Sequence, residues 1–91
     1  MTEYKVNVDV YGAWQDHPPV YRIFIDNEMI CERSFLAMDY EFLREHIIVN
    51  LPSGEHTFRF EELKSKGPNR LSYKNLLVNG NPVTPTFTVS N

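Results

Sequence analysis

The sequence predicts an all-β domain, an antiparallel two-sheet β-sandwich of jelly-roll-like form with about seven strands. Three observations carry that expectation. Apolar and polar residues alternate at a period of two along most of the chain, and turn chemistry recurs roughly every 8 to 15 positions. No stretch holds the 3.6-residue apolar repeat of an amphipathic helix for more than a turn or two. A chain of 91 residues is one domain's worth, residues 1–91. At this mass folding buries roughly 65% of the unfolded surface, enough for one thin core without metal or disulfide staples.

The first strand is expected over residues 4–10, with Tyr4, Val6, Val8 and Val10 on one face and Lys5, Asn7 and Asp9 on a wet one. Gly12 and Asp16-His17-Pro18-Pro19 then make a loop over about 11–19, since paired prolines remove donors and force extended geometry on the residues before them. Tyr21, Ile23 and Ile25 begin a hairpin that turns at Asp26-Asn27-Glu28. Its second strand, about 29–36, has conflicting phases that a bulge near Glu32-Arg33 would reconcile. Met38 to Arg44 reads as a short helical turn, and 43–51 as a strand with Leu43, Ile47, Val49 and Leu51 in phase. Pro52-Ser53-Gly54-Glu55 turns into a strand from His56 to Glu62, where His56, Phe58 and Phe60 alternate with Thr57, Arg59 and Glu61 and give one aromatic-rich face. After a loop from Leu63 to Arg70 come a strand over 71–78, a turn at Asn79-Gly80-Asn81-Pro82, and a last strand in which Val83, Phe87 and Val89 share a face. Pro85 marks that strand as an edge.

Composition narrows the function classes. A net charge of −3 works against general attraction to nucleic acid or an anionic membrane, so neither is an expected partner. The single cysteine, Cys31, cannot form an internal disulfide, and the N-terminal residues carry no signal-peptide pattern, so a cytoplasmic origin is expected. The three histidines, His17, His46 and His56, lack metal-ligand spacing and read as surface or turn residues. Nucleophile-elbow and phosphate-loop motifs are missing, and Glu61-Glu62 point to opposite sides of a strand rather than flanking a cleft. The expectation is a protein that is not an enzyme.

Charge is segregated. Residues 1–62 hold all twelve acids and five of the nine bases, whereas Lys64, Lys66, Arg70 and Lys74 stand in an acid-free C-terminal part. A basic end on an acidic body can meet the acidic face of another copy or simply keep a loop in solution. Trp14 can stack on a sugar, anchor a protein contact, or plug an open end of the sandwich. The expected ligand- or partner-binding set is Trp14, Asp16, Tyr40, Lys64, Lys66, Asn69 and Arg70.

Three segments together, Pro19 to Asn27, Pro52 to Phe60 and Asn69 to Gly80, resemble the small calcium-dependent carbohydrate-binding modules of the xylan-binding type. They are similar also to stand-alone sandwich domains among tailed-phage virion proteins. The resemblance implies a β-sandwich that binds rather than catalyses. In those modules an Asn-Asp pair follows the aromatic strand and an Asp precedes the next one, at the calcium site; here Glu61-Glu62 and Pro68-Asn69 stand there, and the expectation is no cofactor. A fold does not confer a function. With a lone module and no export signal, the resemblance favours a virion accessory or decoration protein, made in the host cytoplasm and docking on a protein assembly or on itself. Glycan binding, with or without calcium, is the alternative.

Overall fold

The computed structural model describes residues 1–37, 41–63 and 70–90, and among these it is an antiparallel sandwich of eight strands in two sheets. The strands are β1 (Thr2–Ala13), β2 (Val20–Ile25), β3 (Glu28–Ser34), β4 (Phe42–Leu51), β5 (Gly54–Glu62), β6 (Arg70–Val78), β7 (Asn81–Pro82) and β8 (Thr86–Val89). One sheet has the order β4-β1-β6-β7 and the other β3-β2-β5-β8. The expected all-β sandwich is therefore the fold, with the two-residue β7 as its additional strand.

The core forms where the alternating faces meet. Val6, Val8 and Val10 of β1 and Tyr21 and Ile23 of β2 are fully buried, and Ile47, Val49, Phe58, Leu76, Val78 and Phe87 complete the layer. Tyr73 packs edge-on against Phe58, ring centroids 5.2 Å apart, and so ties β6 to β5 across the sheets. The hairpins use the turn chemistry that the sequence offers. Asp26 and Asn27 both take positive φ, 54° and 66°, which is the backbone of a two-residue primed turn between β2 and β3. Asn79 and Gly80 do the same, at 50° and 81°, between β6 and β7.

Several boundaries differ from the sequence reading. β1 runs on to Ala13, because Tyr11 and Gly12 still pair with Ser72 and Leu71 on β6, so the loop begins at Trp14. Gly12 is needed there: a Cβ would stand 3.0 Å from the Arg70 carbonyl oxygen and closer still to the Leu71 side chain. The bulge in the first hairpin is at Ile30, the unpaired residue between Cys31 and Met29 opposite Ile23 and Phe24, not at Glu32-Arg33. Phe42 to Arg44 form strand rather than a helical turn, paired with Tyr11, Val10 and Asp9; Met38 to Tyr40 lie outside the described residues. Pro85 precedes β8 instead of interrupting it, and its carbonyl accepts the Phe58 amide at 2.7 Å.

A second bulge shapes the outer face of the first sheet. Asn7 pairs with Leu77 and Asp9 with Lys74, so Asn75 and Leu76 together oppose Val8. Asn75 takes a φ of 58°, and the inward phase of β6 passes from Leu71 and Tyr73 to Leu76 and Val78. Lys74 and Asn75 are left adjacent and exposed.

Ile23→Ala opens a cavity at the centre of the core and is expected to cost about 2–5 kcal/mol. Urea denaturation should show a lower midpoint at an unchanged slope. A loss below about 1 kcal/mol would contradict a close-packed inter-sheet layer.

Candidate functional site

Two surfaces stand out, and strand order positions both. The first is the lateral seam where the edge strands β3 and β4 lie side by side. Ile25, Ile30, Val49 and Leu51 help line a groove of about 490 Å3, with Met1, Met29 and Ile48 at its mouth. Met29 is 53% exposed and Ile48 56%, so apolar surface is open here. β4 alternates inward Glu45, Ile47, Val49 and Leu51 with outward Arg44, His46, Ile48 and Asn50, which is the pattern of a strand with one wet face.

Beyond the groove the seam is closed by a polar cluster. Glu45 falls in the inward phase of β4 and is buried, where it accepts a hydrogen bond from the Tyr21 hydroxyl at 3.0 Å and pairs with Arg33 at 2.5 Å. The Cys31 thiol lies 3.9 Å from the same carboxylate. Burial, then the Glu45 charge, raises both the Tyr21 hydroxyl and the Cys31 thiol above their ordinary values. Both stay protonated at neutral pH, which makes Cys31 a poor nucleophile and leaves the cluster the chemistry of a clasp. Arg33 is raised in turn by Glu45.

The second surface is the outer face of β4-β1-β6. Tyr11 and Phe42 stack at 5.2 Å between centroids and 30° between planes, with Lys74 Nζ 5.3 Å from the Tyr11 ring and the Arg44 guanidinium 5.6 Å from Phe42. Phe42 is 43% exposed. Phe24 on the opposite sheet, by contrast, is capped by Arg59 at 3.9 Å. Beside the aromatic pair, Asn7, Asp9, Arg44, His46, Asn75 and Leu77 line a shallow cup of about 350 Å3.

Asp9 is the anchor of that cup. Its place on the outer face predicts a wet carboxylate, yet it is buried, because Arg44 and the bulged Asn75 close over it. Arg44 Nε donates to Oδ1 at 2.8 Å, and Arg44 Nη2 and Asn75 Nδ2 donate to Oδ2 at 3.3 and 2.9 Å. The Arg44 hydrogen bonds hold the Asp9 carboxyl below its usual range, outweighing burial, and Asn75 adds to them. His46 Nδ1 lies 3.1 Å from Asn7 Oδ1. The cup thus presents amide, imidazole and guanidinium groups next to an aromatic surface.

Of the seven residues expected from sequence, three fall within the described residues. Trp14 is half-buried against the core and its Nε1 donates to the Ala37 carbonyl at 2.9 Å, so it plugs the end of the sandwich. Asp16 is exposed in the bend after β1, with a φ of 67°. Arg70 is exposed at the start of β6, opposite Ala13. Tyr40, Lys64, Lys66 and Asn69 lie outside the described residues. The acids at the calcium positions of the resemblance are engaged otherwise: Glu61 pairs with Arg59 at 2.7 Å and Glu62 accepts the Leu71 amide at 2.6 Å. Among the described residues, no three His, Cys, Asp or Glu side chains converge as a metal site needs. His56 is not a surface histidine; it is 5% exposed and hydrogen-bonded on both sides. Period-two phase is the signal that points to Glu45, which falls among the inward residues of β4, and the alternation that sets His56 with Phe58 and Phe60 already carries its inward place. Comparison of the chain with family models, with curated proteins and with solved structures gave no match.

Arg44→Met removes the main lowering influence on Asp9, so the carboxyl should titrate at higher pH. Its folded value is depressed, so Asp9 contributes stability above its unfolded value near 3.8 that is lost as pH falls through the folded value. The variant should lose that contribution. Carbon NMR of the Asp9 carboxyl checks this, and an unmoved titration contradicts it.

Proposed function

We propose that this chain is a non-catalytic binding module that docks on a protein assembly, by accepting an extended strand along the β3/β4 edge. The observation that carries this is the asymmetry of the sandwich edges. On one side the edge strands are the two-residue β7, which contains Pro82, and the four-residue β8, which follows Pro85. On the other side they are the seven-residue β3 and the ten-residue β4, and neither contains proline. Natural sheets shorten or interrupt their edges because unpaired backbone groups recruit other strands. Here the edge strands of one side are short and proline-bound, covering Leu77 and Val78 of β6 and Gly54 to Thr57 of β5, while those of the other are long, proline-free and bordered by an apolar groove. That combination suits strand addition, in which backbone hydrogen bonds supply affinity and the groove selects alternate side chains.

A virion accessory or decoration protein, as the resemblance suggests, is a role that such an edge would serve. The docking surface differs from the basic end anticipated from the charge pattern. The two modes separate by salt: an apolar strand edge keeps its affinity at high ionic strength, whereas a basic patch meeting acids loses it. A second reading, glycan binding, is favoured by exposed Phe42 stacked on half-buried Tyr11 beside the Asn7-Arg44-His46-Asn75 cup, since apolar ring faces stack on aromatics while hydroxyls meet polar groups.

The double variant Ile48→Lys, Met29→Lys places charges on two exposed side chains at the groove mouth and should leave folding intact. Light scattering over rising protein concentration, with co-purification from particles, is expected to show association of the unaltered chain in low and high salt and its loss in the variant. A chain that stays monomeric and accompanies no particle would overturn the proposal. For the glycan reading, Phe42→Ala should abolish retention on a glycan array read with and without chelator, and silence of the unaltered chain on both arms removes it.

A further inference from the structure

His56 sits at the end of the β3/β4 groove that is away from the Glu45 cluster, and its ring bridges the two walls. Asp26, from the turn between β2 and β3, and Pro52, which follows β4, both line the groove. His56 Nδ1 lies 2.5 Å from Asp26 Oδ2, and Nε2 lies 2.8 Å from the Pro52 carbonyl oxygen. A backbone carbonyl and an ionised carboxylate have no proton to donate, so both ring nitrogens must donate. The geometry therefore holds the ring as an imidazolium. From β8 the Phe87 ring, 5.9 Å away between centroids, closes the remaining side without charge. Among the described residues Asp26 is the one acid within ion-pair distance of the ring.

We propose that His56 is a proton-operated latch at the end of this groove, its cationic form tying the Asp26 turn to the Pro52 carbonyl and its neutral form releasing that carbonyl. A neutral imidazole keeps one N–H and can serve only one of the two acceptors. The carboxylate is the stronger acceptor, so the ring stays with Asp26. That turn is held to β5 in any case: Asp26 Oδ1 accepts the Thr57 amide at 2.9 Å, and the Asp26 amide donates to the Thr57 carbonyl at 2.9 Å. The Pro52 turn runs on through Ser53 into β5, where Gly54 pairs with Val89, so losing the ring slackens the Pro52 carbonyl at the end of β4 without detaching the turn. Proton loss thus loosens the strand end at which a partner would dock. This deepens the docking reading and rests on it for its functional meaning, while the latch itself is a property of the lone protein.

The direction with pH follows from the two partners. The Asp26 hydrogen bond first, and the Pro52 carbonyl second, raise His56 above its ordinary value. The latch is therefore complete below about 6.5 and is lost as pH rises through the folded value. Burial works to raise Asp26, but the His56 and Thr57 hydrogen bonds lower it by more, so its contribution is present above about 3.9 and is lost as pH falls through its folded value. The pair is fully formed between about 4 and about 6.5.

The test is a pH series on the intact chain, reading the His56 ring nitrogens by nitrogen NMR and amide exchange at Ser53, Gly54 and Thr57. The expected result is two ring N–H groups at pH 6 and a His56 midpoint above the ordinary histidine value of about 6.5. Exchange at Ser53 and Gly54, corrected for its intrinsic pH dependence, should quicken above that midpoint while Thr57 stays protected. The gain is roughly tenfold per unit of His56 shift. Asp26→Asn should bring the midpoint down, and His56→Phe should leave Ser53 and Gly54 exchange flat over the same range. A His56 ring with one bare nitrogen at pH 6, or Ser53 and Gly54 exchange indifferent to its titration, overturns the latch. Light scattering in the same series separates the two ideas: association unaffected by a titrating latch overturns the gating and leaves docking standing. Loss of association in Ile48→Lys, Met29→Lys with the His56 titration unchanged supports docking at the groove, and association that follows the His56 titration supports the gating.

Discussion

The structure depends on one apolar layer, the inward phase of β1 pressed against that of β2. Val6, Val8 and Val10 are fully buried, as are Tyr21 and Ile23 opposite them. Because the side-chain period of a strand is two, a slip of one residue would put Lys5, Asn7 and Asp9 into this layer. That is prohibitive for a thin core, so the register of β1 is fixed, and with it the registers of β4 and β6 on either side. The order of both sheets leaves β3 and β4 at one lateral edge and the short β7 and β8 at the other. Which surface is available for binding is thus a consequence of core packing.

The seam between β3 and β4 is organised by ionic groups at its two ends. At one end Glu45 collects the Tyr21 hydroxyl and Arg33; at the other His56 collects Asp26 and the Pro52 carbonyl. Each cluster satisfies its buried polar members, and no buried side-chain polar atom lacks a partner among the described residues. Between them the wall is apolar and open. This division explains how a long edge can coexist with a defined fold: the ends of the seam are fastened by directional hydrogen bonds, and the middle keeps unpaired backbone beside an apolar groove.

Much of the fold was legible in the sequence because alternation and turn residues are local signals. Val6-Val8-Val10, Tyr21-Ile23-Ile25 and Phe58 all occupy the face that their phase assigns. The bulges were not legible in place, since a single extra residue is fixed by the partner strand: Ile30 is displaced by pairing with β2, and Asn75 by pairing with β1. The candidate surfaces were read less well. Trp14 and the bases drew attention as residue types, whereas the groove arises from strand order, and the cup arises from Arg44 and Asn75, which are 31 positions apart in the sequence. His56 shares the phase of Phe58 and Phe60, so its face was legible though its burial was not, whereas Glu45 stands between Leu43 and Ile47 in the inward phase of β4 without an apolar side chain to mark it.

The most direct measurement of the central claim is residue-resolved hydrogen exchange of the protein in its associated state, compared with the free chain. Strand addition predicts new protection along β4, with β7 and β8 unchanged. Protection confined to Tyr11, Phe42 and Lys74, or spread over the β8 edge, would contradict it.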